Sequence, residues 1–425
     1  MKHIVFLAYF LLGIGRNLPY QKIYFFGLGI ADCIFCVLTF LLLTNQKARE
    51  GLIREARGLR IPIEATVGLS FLAILSMAFN LSIYGANVRD VFEVLRYFYL
   101  IVIMIVTAHF CRVTPIAPVL GFIVGVLISG TVAILNPMNP DVLGTPQIFN
   151  PNVIGNCLAV AIAFCSFVII QGYPAMGGIF AVAAAVFAFF TFSKGTWLMT
   201  ASSLTACQLA LASLDGRNTN RIRYGRYVAY SLVVGLLYVT YQNWDLVKSV
   251  IEAKMKATEF HASAAEGGSV SARMGLILSA IYMFLINPLF GVGISNFEYV
   301  NNLLQEQLGN AYYDDDNPNS AWFYVLGCMG LPAFFLFSRI FYWFLKRIYR
   351  LSPGSLKTRF LYTTCIGTTF FIGGNVQLEM LKAYYYWIAL GAISVLTSLP
   401  TGVHITKRWP HKRCENAIGN PLIVT

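Results

Sequence analysis

The sequence predicts an all-α polytopic membrane protein of about 12 transmembrane helices, with one large external loop between the ninth and tenth. Three observations carry this. Of 425 residues, 57% are hydrophobic and only 12% charged, against roughly a quarter charged in soluble domains. Apolar runs of about 18 residues or more recur from end to end, the length that crosses a hydrocarbon core. They do not alternate over about ten residues as barrel strands do, so helices must satisfy the backbone. Lastly, lysine and arginine gather in alternate loops, which orients the chain.

The predicted spans are 3–15, 22–43, 61–82, 92–111, 115–135, 153–171, 175–192, 196–213, 228–244, 320–340, 359–376 and 382–400. The first apolar run follows Met1-Lys2-His3. It has no small-x-small cleavage site before Arg16 and is expected to stay as a helix. Lys47, Arg49, Arg54, Arg57 and Arg60 lie between spans two and three, and Arg112 between four and five. Arg217, Arg221, Arg223 and Arg226 follow span eight. Lys346, Arg347, Arg350, Lys357 and Arg359 follow span ten, and Lys407, Arg408, Lys412 and Arg413 lie in the tail. All fall on one side if both termini are cytoplasmic. That bias is also the simplest account of the +12 net charge, so nucleic acid is not expected as a partner.

The organisation is then 1–244 with nine spans, 245–319 as the external loop, 320–400 with three spans and 401–425 as a cytoplasmic tail. Within the loop, Ala272 to Leu289 is apolar but leaves only about 15 residues between Arg273 and Pro288, short for a span. It is expected to lie in or dip into the outer interface. Nine cysteines sit in or beside spans or in the tail, with none in the loop, so no disulfide or cysteine metal site is expected there. No internal repeat is visible, which disfavours a transporter built from inverted repeats.

The external cations are few: Arg16, Lys22, Arg89, Arg96, Lys194, Lys248, Lys254, Lys256, Arg273 and Lys382. They are candidates for an anionic lipid head group such as a diphosphate, arginine through bidentate contacts and lysine as a point charge. Lys194 sits in a tight turn, Thr191-Phe-Ser-Lys-Gly195, where it either points into the helix mouth or snorkels. Arg273 either binds substrate or anchors its helix at the interface. Arg89 and Arg96 open span four, and Glu93 lies three residues before Arg96, the spacing of a local ion pair. Asp316, in the acidic run Asp314-Asp-Asp316, His261 and Glu379 are the candidate bases; the acidic run and His261 also read as solvated loop groups. Asn317 and Asn319 could orient sugars, and Tyr312, Tyr313 and Trp322 could stack on them or serve as interfacial aromatics. Adjacent aspartates converge poorly, so no metal site is assigned.

Three patches resemble the O-antigen polymerase and O-antigen ligase superfamily, the Wzy-type integral-membrane glycosyltransferases. Phe192-Ser-Lys-Gly195 resembles the family's Ser-Arg-Gly turn, with lysine for arginine. Ser269-Val-Ser-Ala-Arg273 through Pro288-Leu-Phe-Gly-Val-Gly293 is similar to its Ser/Arg helix start and Pro-Leu-x-Gly-x-Gly turn. Pro318-Asn-Ser-Ala-Trp322 through Gly327-Cys-Met-Gly-Leu-Pro332 resembles its His-Asn segment and the glycine-rich span after it. Phe149-Asn-Pro-Asn-Val153 is a weaker fourth likeness.

The resemblance implies a GT-C-like fold in the bacterial inner membrane, a periplasmic active site and no cofactor or metal. It implies an undecaprenyl-diphosphate-linked oligosaccharide as substrate, membrane lipids around it and a chain-length regulator as a possible partner. Polymerases of the family move a growing glycan from its lipid diphosphate to the next lipid-linked repeat of an O-antigen or exopolysaccharide. Ligases move it to lipid A–core or another acceptor of lipopolysaccharide type. Pro318 stands where ligases carry the histidine implied as base, which favours a polymerase. A lipid-linked glycan transporter is the reading from another class; there the cations would bind diphosphate without chemistry.

Overall fold

A computed structural model of the chain describes residues 2–14, 30–84, 88–135, 151–170, 173–191, 194–213, 269–294, 296–307, 320–351 and 384–396, with Val234, Tyr241, Trp244, Lys248 and Glu252 as isolated helical positions. These residues form thirteen helices and no strand. In order they are α1 (Lys2–Ile14), α2 (Ile30–Thr44), α3 (Gln46–Gly58), α4 (Arg60–Tyr84), α5 (Val88–Val113), α6 (Ile116–Leu135), α7 (Pro151–Ile170), α8 (Pro174–Phe190), α9 (Lys194–Ser213), α10 (Ser269–Ile286), α11 (Phe297–Gln307), α12 (Ala321–Leu351) and α13 (Tyr384–Leu396). The expected spans 359–376 and most of 228–244 lie outside the described residues.

Among the described residues, three helices are long and apolar enough to cross a membrane: Arg60–Leu81, Val94–Val113 and Ala321–Lys346. Seven further apolar helices are shorter. The side chains of α4 are arranged inside out relative to a soluble helix. Thr66, Ser70, Ser76 and Asn80 are buried, while Phe71, Ile74 and Phe79 are largely exposed. Apolar residues outward and small polar residues inward is the arrangement that hydrocarbon solvent favours.

At the centre lie α7 and α13, buried all round from Ile154 to Ile169 and from Tyr385 to Val395. The pairs α1–α6, α7–α9 and α5–α13 pack along much of their length. On α6, Gly121 and Gly125 bring its backbone against α1: a Cβ on Gly125 would lie 2.9 Å from the Ile14 nitrogen and 3.0 Å from Gly13 Cα. Small residues at i and i+4 allow this approach. Tyr9 donates to Thr107 Oγ1 at 2.7 Å and Tyr384 to the Leu12 carbonyl at 2.6 Å, tying α1 to α5 and α13.

Two features differ from expectation. The basic stretch between spans two and three is a helix, α3, and not an irregular loop. Asn45 caps it, its side chain accepting from the Ala48 N–H at 3.2 Å. Leu52, Glu55 and Leu59 are buried against the rest of the fold. Glu55 is clasped by Arg112 at the end of α5, with Arg112 Nη2 to Oε2 at 3.0 Å and Nε to Oε1, while Arg54 adds a contact at 3.2 Å.

The second difference is in the tenth span, expected as a continuous helix over 320–340. It is broken at Gly330, where φ is 81° and ψ −176°. Trp322 and Phe337 would stand about 22 Å apart along a straight helix. Their rings instead meet edge-on at 4.6 Å, and Trp322 also meets Phe334 and Phe341. The chain therefore bends sharply at Gly330. Pro332 sits in the first turn of the second segment, where a missing N–H costs nothing.

Candidate functional site

A helix break inside an apolar segment exposes backbone groups that lipid cannot satisfy, so other parts of the protein must cover them. Here the cover is the turn after α10. Val292 N–H donates to the Gly327 carbonyl at 3.1 Å, and Gly293 N–H to Cys328 at 2.9 Å. In return the Leu331 N–H donates to the Pro288 carbonyl at 2.8 Å. The turn needs its glycines. Gly291 has φ +62°, and a Cβ there would fall 2.5 Å from the Gly327 oxygen.

From the other side α4 locks the same junction. Ser76 Oγ contacts two acceptors, the carbonyls of Phe290 at 2.5 Å and Cys328 at 3.0 Å. Asn80 Nδ2 donates to the Gly291 carbonyl at 3.1 Å and to the Ser76 carbonyl at 2.7 Å. Phe79 stacks on Phe290 with centroids 4.1 Å apart. Below the turn, Asn296 donates to the Val292 carbonyl at 2.8 Å and the Tyr324 hydroxyl to that of Ile294. The glycine turn, the broken helix and the end of α4 thus form one hydrogen-bonded unit.

This unit brings together the second and third patches noted in the sequence. The helices that begin at the first and fourth patches also meet, just beyond the patches themselves. A Cβ on Gly155, near the start of α7, would lie 2.6 Å from Thr196 Cγ2, near the start of α9. Lys194 is the first residue of α9, and Arg273 the fifth of α10. Arg89 is the second residue of α5, and Arg96 is half-buried farther along it. Trp322 is packed within the aromatic cluster across the bend. Asp316, His261, Glu379, Asn317, Asn319, Tyr312, Tyr313 and Pro318 lie outside the described residues.

Sequence reasoning missed Ser76 and Asn80, and gave Ser320, which lies within the third patch, no role of its own. Ser320, next to Asn319, is buried at the start of α12, and its hydroxyl has no hydrogen-bond partner among the described residues. The available signal was small polar residues inside apolar runs, which hydrocarbon tolerates only when they face protein.

Residues 179–338 match the family model Wzy_C, described as O-antigen ligase. This match supports the likeness to the O-antigen ligase and polymerase superfamily over that segment. The matched segment contains Lys194, Arg273, the glycine turn, Trp322 and the break at Gly330. The comparison with curated proteins gives no match.

Proposed function

We propose that this Wzy_C-domain protein is a polysaccharide polymerase acting at the periplasmic face of the bacterial inner membrane. Its donor is a glycan on undecaprenyl diphosphate, and its acceptor is a hydroxyl of the next lipid-linked repeat. The acceptor oxygen attacks the anomeric carbon, the bond from that carbon to the diphosphate oxygen breaks, and the lipid diphosphate leaves with the electron pair. Arg273 and Lys194 stabilise the charge that develops on the leaving group, an effect strengthened where water is scarce. Arg89 and Arg96 contribute to holding the anionic head group. The acceptor proton passes to a base drawn from Asp316, His261 and Glu379. Asn317, Asn319, Tyr312, Tyr313 and the edge of Trp322 contact sugars.

The observation that carries the reading is the family match across residues 179–338, because it contains both proposed cations and the turn between them and α12. Ligase activity is the second reading, favoured by the family model's own description; Pro318 in the histidine position favours the polymerase.

A gel of surface and lipid-linked glycans from cells with and without the protein separates these readings. A polymerase's loss leaves single repeats and removes the long ladder. Long chains that persist on the lipid carrier but vanish from their final acceptor would identify a ligase. Repeats trapped on the cytoplasmic side would identify a transporter. Arg273→Ala and Lys194→Ala should each lower glycan transfer about 10²–10³-fold while membrane insertion stays normal. Full polymer length and yield in both variants would overturn the site assignment.

A further inference from the structure

The buried face of α3 is fixed by Leu52, Leu59 and the Glu55–Arg112 pair, so its outer face has a set direction. On that outer face Arg49, Ile53 and Arg57 follow one another at i, i+4 and i+8 and form a single stripe. All three are exposed, Ile53 at 47%. Arg54 and Arg60 are engaged by Glu55 and Glu64. Arg49 and Arg57 have no acidic partner among the described residues. The acid on the same outer face, Glu50, accepts from Gln46. The stripe therefore presents two uncompensated guanidiniums about 12 Å apart with an apolar side chain between them.

We propose that this stripe docks anionic phospholipid head groups, with phosphates against Arg49 and Arg57 and Ile53 dipping towards the acyl chains. Charge complementarity calls for an anion, and the exposed isoleucine calls for a neighbour that is partly apolar; the head-group boundary of a bilayer supplies both. Continuity supports the placement, because α2 runs into α3 through exposed Leu41 and Leu43, immediately before the Asn45 cap. A soluble polyanion would satisfy the arginines and leave Ile53 in water. The proposal rests on the membrane character of the chain and stands apart from the glycan reading.

The test uses the full-length protein in nanodiscs of phosphatidylcholine with increasing phosphatidylglycerol, read by hydrogen exchange across residues 46–58. Phosphatidylglycerol should protect the wild-type segment. Arg49→Gln or Arg57→Gln should each weaken the dependence about fivefold, whereas Arg49→Lys should retain most of it. Lys47→Gln removes the same charge from another side of the helix and should behave as wild type. Equal protection in all variants, or an equal loss with Lys47→Gln, would overturn the proposal. The wild-type thermal unfolding profile in each variant separates lipid loss from misfolding.

Discussion

Replacing Gly330 with alanine tests whether the break in α12 is locked by the turn after α10. At φ 81° and ψ −176° the backbone occupies a region essentially restricted to glycine, and a side chain there costs about 1–3 kcal/mol. The new Cβ would also lie 2.5 Å from the Leu289 carbonyl carbon and 2.8 Å from the Phe290 nitrogen. Those are backbone atoms of the docked turn and cannot swing aside, so overpacking adds roughly 1–3 kcal/mol. The expected loss is about 2–6 kcal/mol, where each 1.4 kcal/mol is tenfold in the folding equilibrium. Two other glycines grade the effect. Gly293 also has positive φ, but its Cβ would meet the Asn296 amide, the end of a movable side chain, so Gly293→Ala should cost less. Gly58 faces open space, and Gly58→Ala should be near neutral. Denaturant titration of the purified protein by circular dichroism reads stability. Chymotrypsin reads opening, because Phe290 and the buried Phe297 become cleavable when the turn lifts. If Gly330→Ala matches Gly58→Ala in both assays, the turn is not locked to the break.

Other changes probe the same packing. Ser76→Ala strips a hydrogen-bond partner from the Phe290 and Cys328 carbonyls and should cost about 1–3 kcal/mol, with faster chymotryptic cleavage after Phe290. Asn80→Ala should act in the same direction through Gly291. Arg112→Leu leaves Glu55 buried with the exposed Arg54 as its remaining ion-pair partner among the described residues. The usual 3–5 kcal/mol for an orphaned buried charge is reduced to roughly 1–3 by solvent reaching Arg112, and Glu55→Leu with Arg112→Leu should recover most of it in hydrogen exchange across 46–58. Gly125→Val drives a branched side chain into the α1 backbone and should lower the thermal midpoint more than any of these.

The apolar helices were legible because their signal is length and composition, and most expected spans match a described helix to within a few residues. Two parts were hidden for specific reasons. The charges on α3 looked like a positive-inside loop; its helical signal is Asn45 as a cap and the apolar spacing of Ala48, Leu52 and Leu59, with Glu55 filling a buried place that pattern reading assigns to an apolar residue. The break in α12 lies in a run from Ala321 to Lys346 whose hydropathy is continuous, so no composition measure sees it. Gly330 and Pro332 mark it only in combination with Gly291 and Gly293, more than thirty residues away. Ser76 and Asn80 had only a weak local signal, since a lone serine or asparagine in a span says that it faces protein but not what it binds there.

Those hidden parts explain why the family-like patches belong together. A glycine turn has no reason to lie inside a membrane protein unless it covers freed backbone groups, and a broken apolar helix cannot persist without such a cover. Each therefore requires the other: the turn after α10 supplies N–H groups to Gly327 and Cys328, and the break supplies the N–H of Leu331 to Pro288. Because α10 leads directly into that turn, the position of Arg273 along α10 is referenced to the break in α12 and, through Ser76 and Asn80, to α4. A rigid reference of this kind is what a cation needs if it is to meet charge developing on a leaving diphosphate. Loosening the turn should then lower glycan transfer even with Arg273 present, and Ser76→Ala should reduce the rate at saturating substrate more than it weakens substrate binding. If Ser76→Ala opens the turn to chymotrypsin and transfer is undiminished, Arg273 does not depend on the junction.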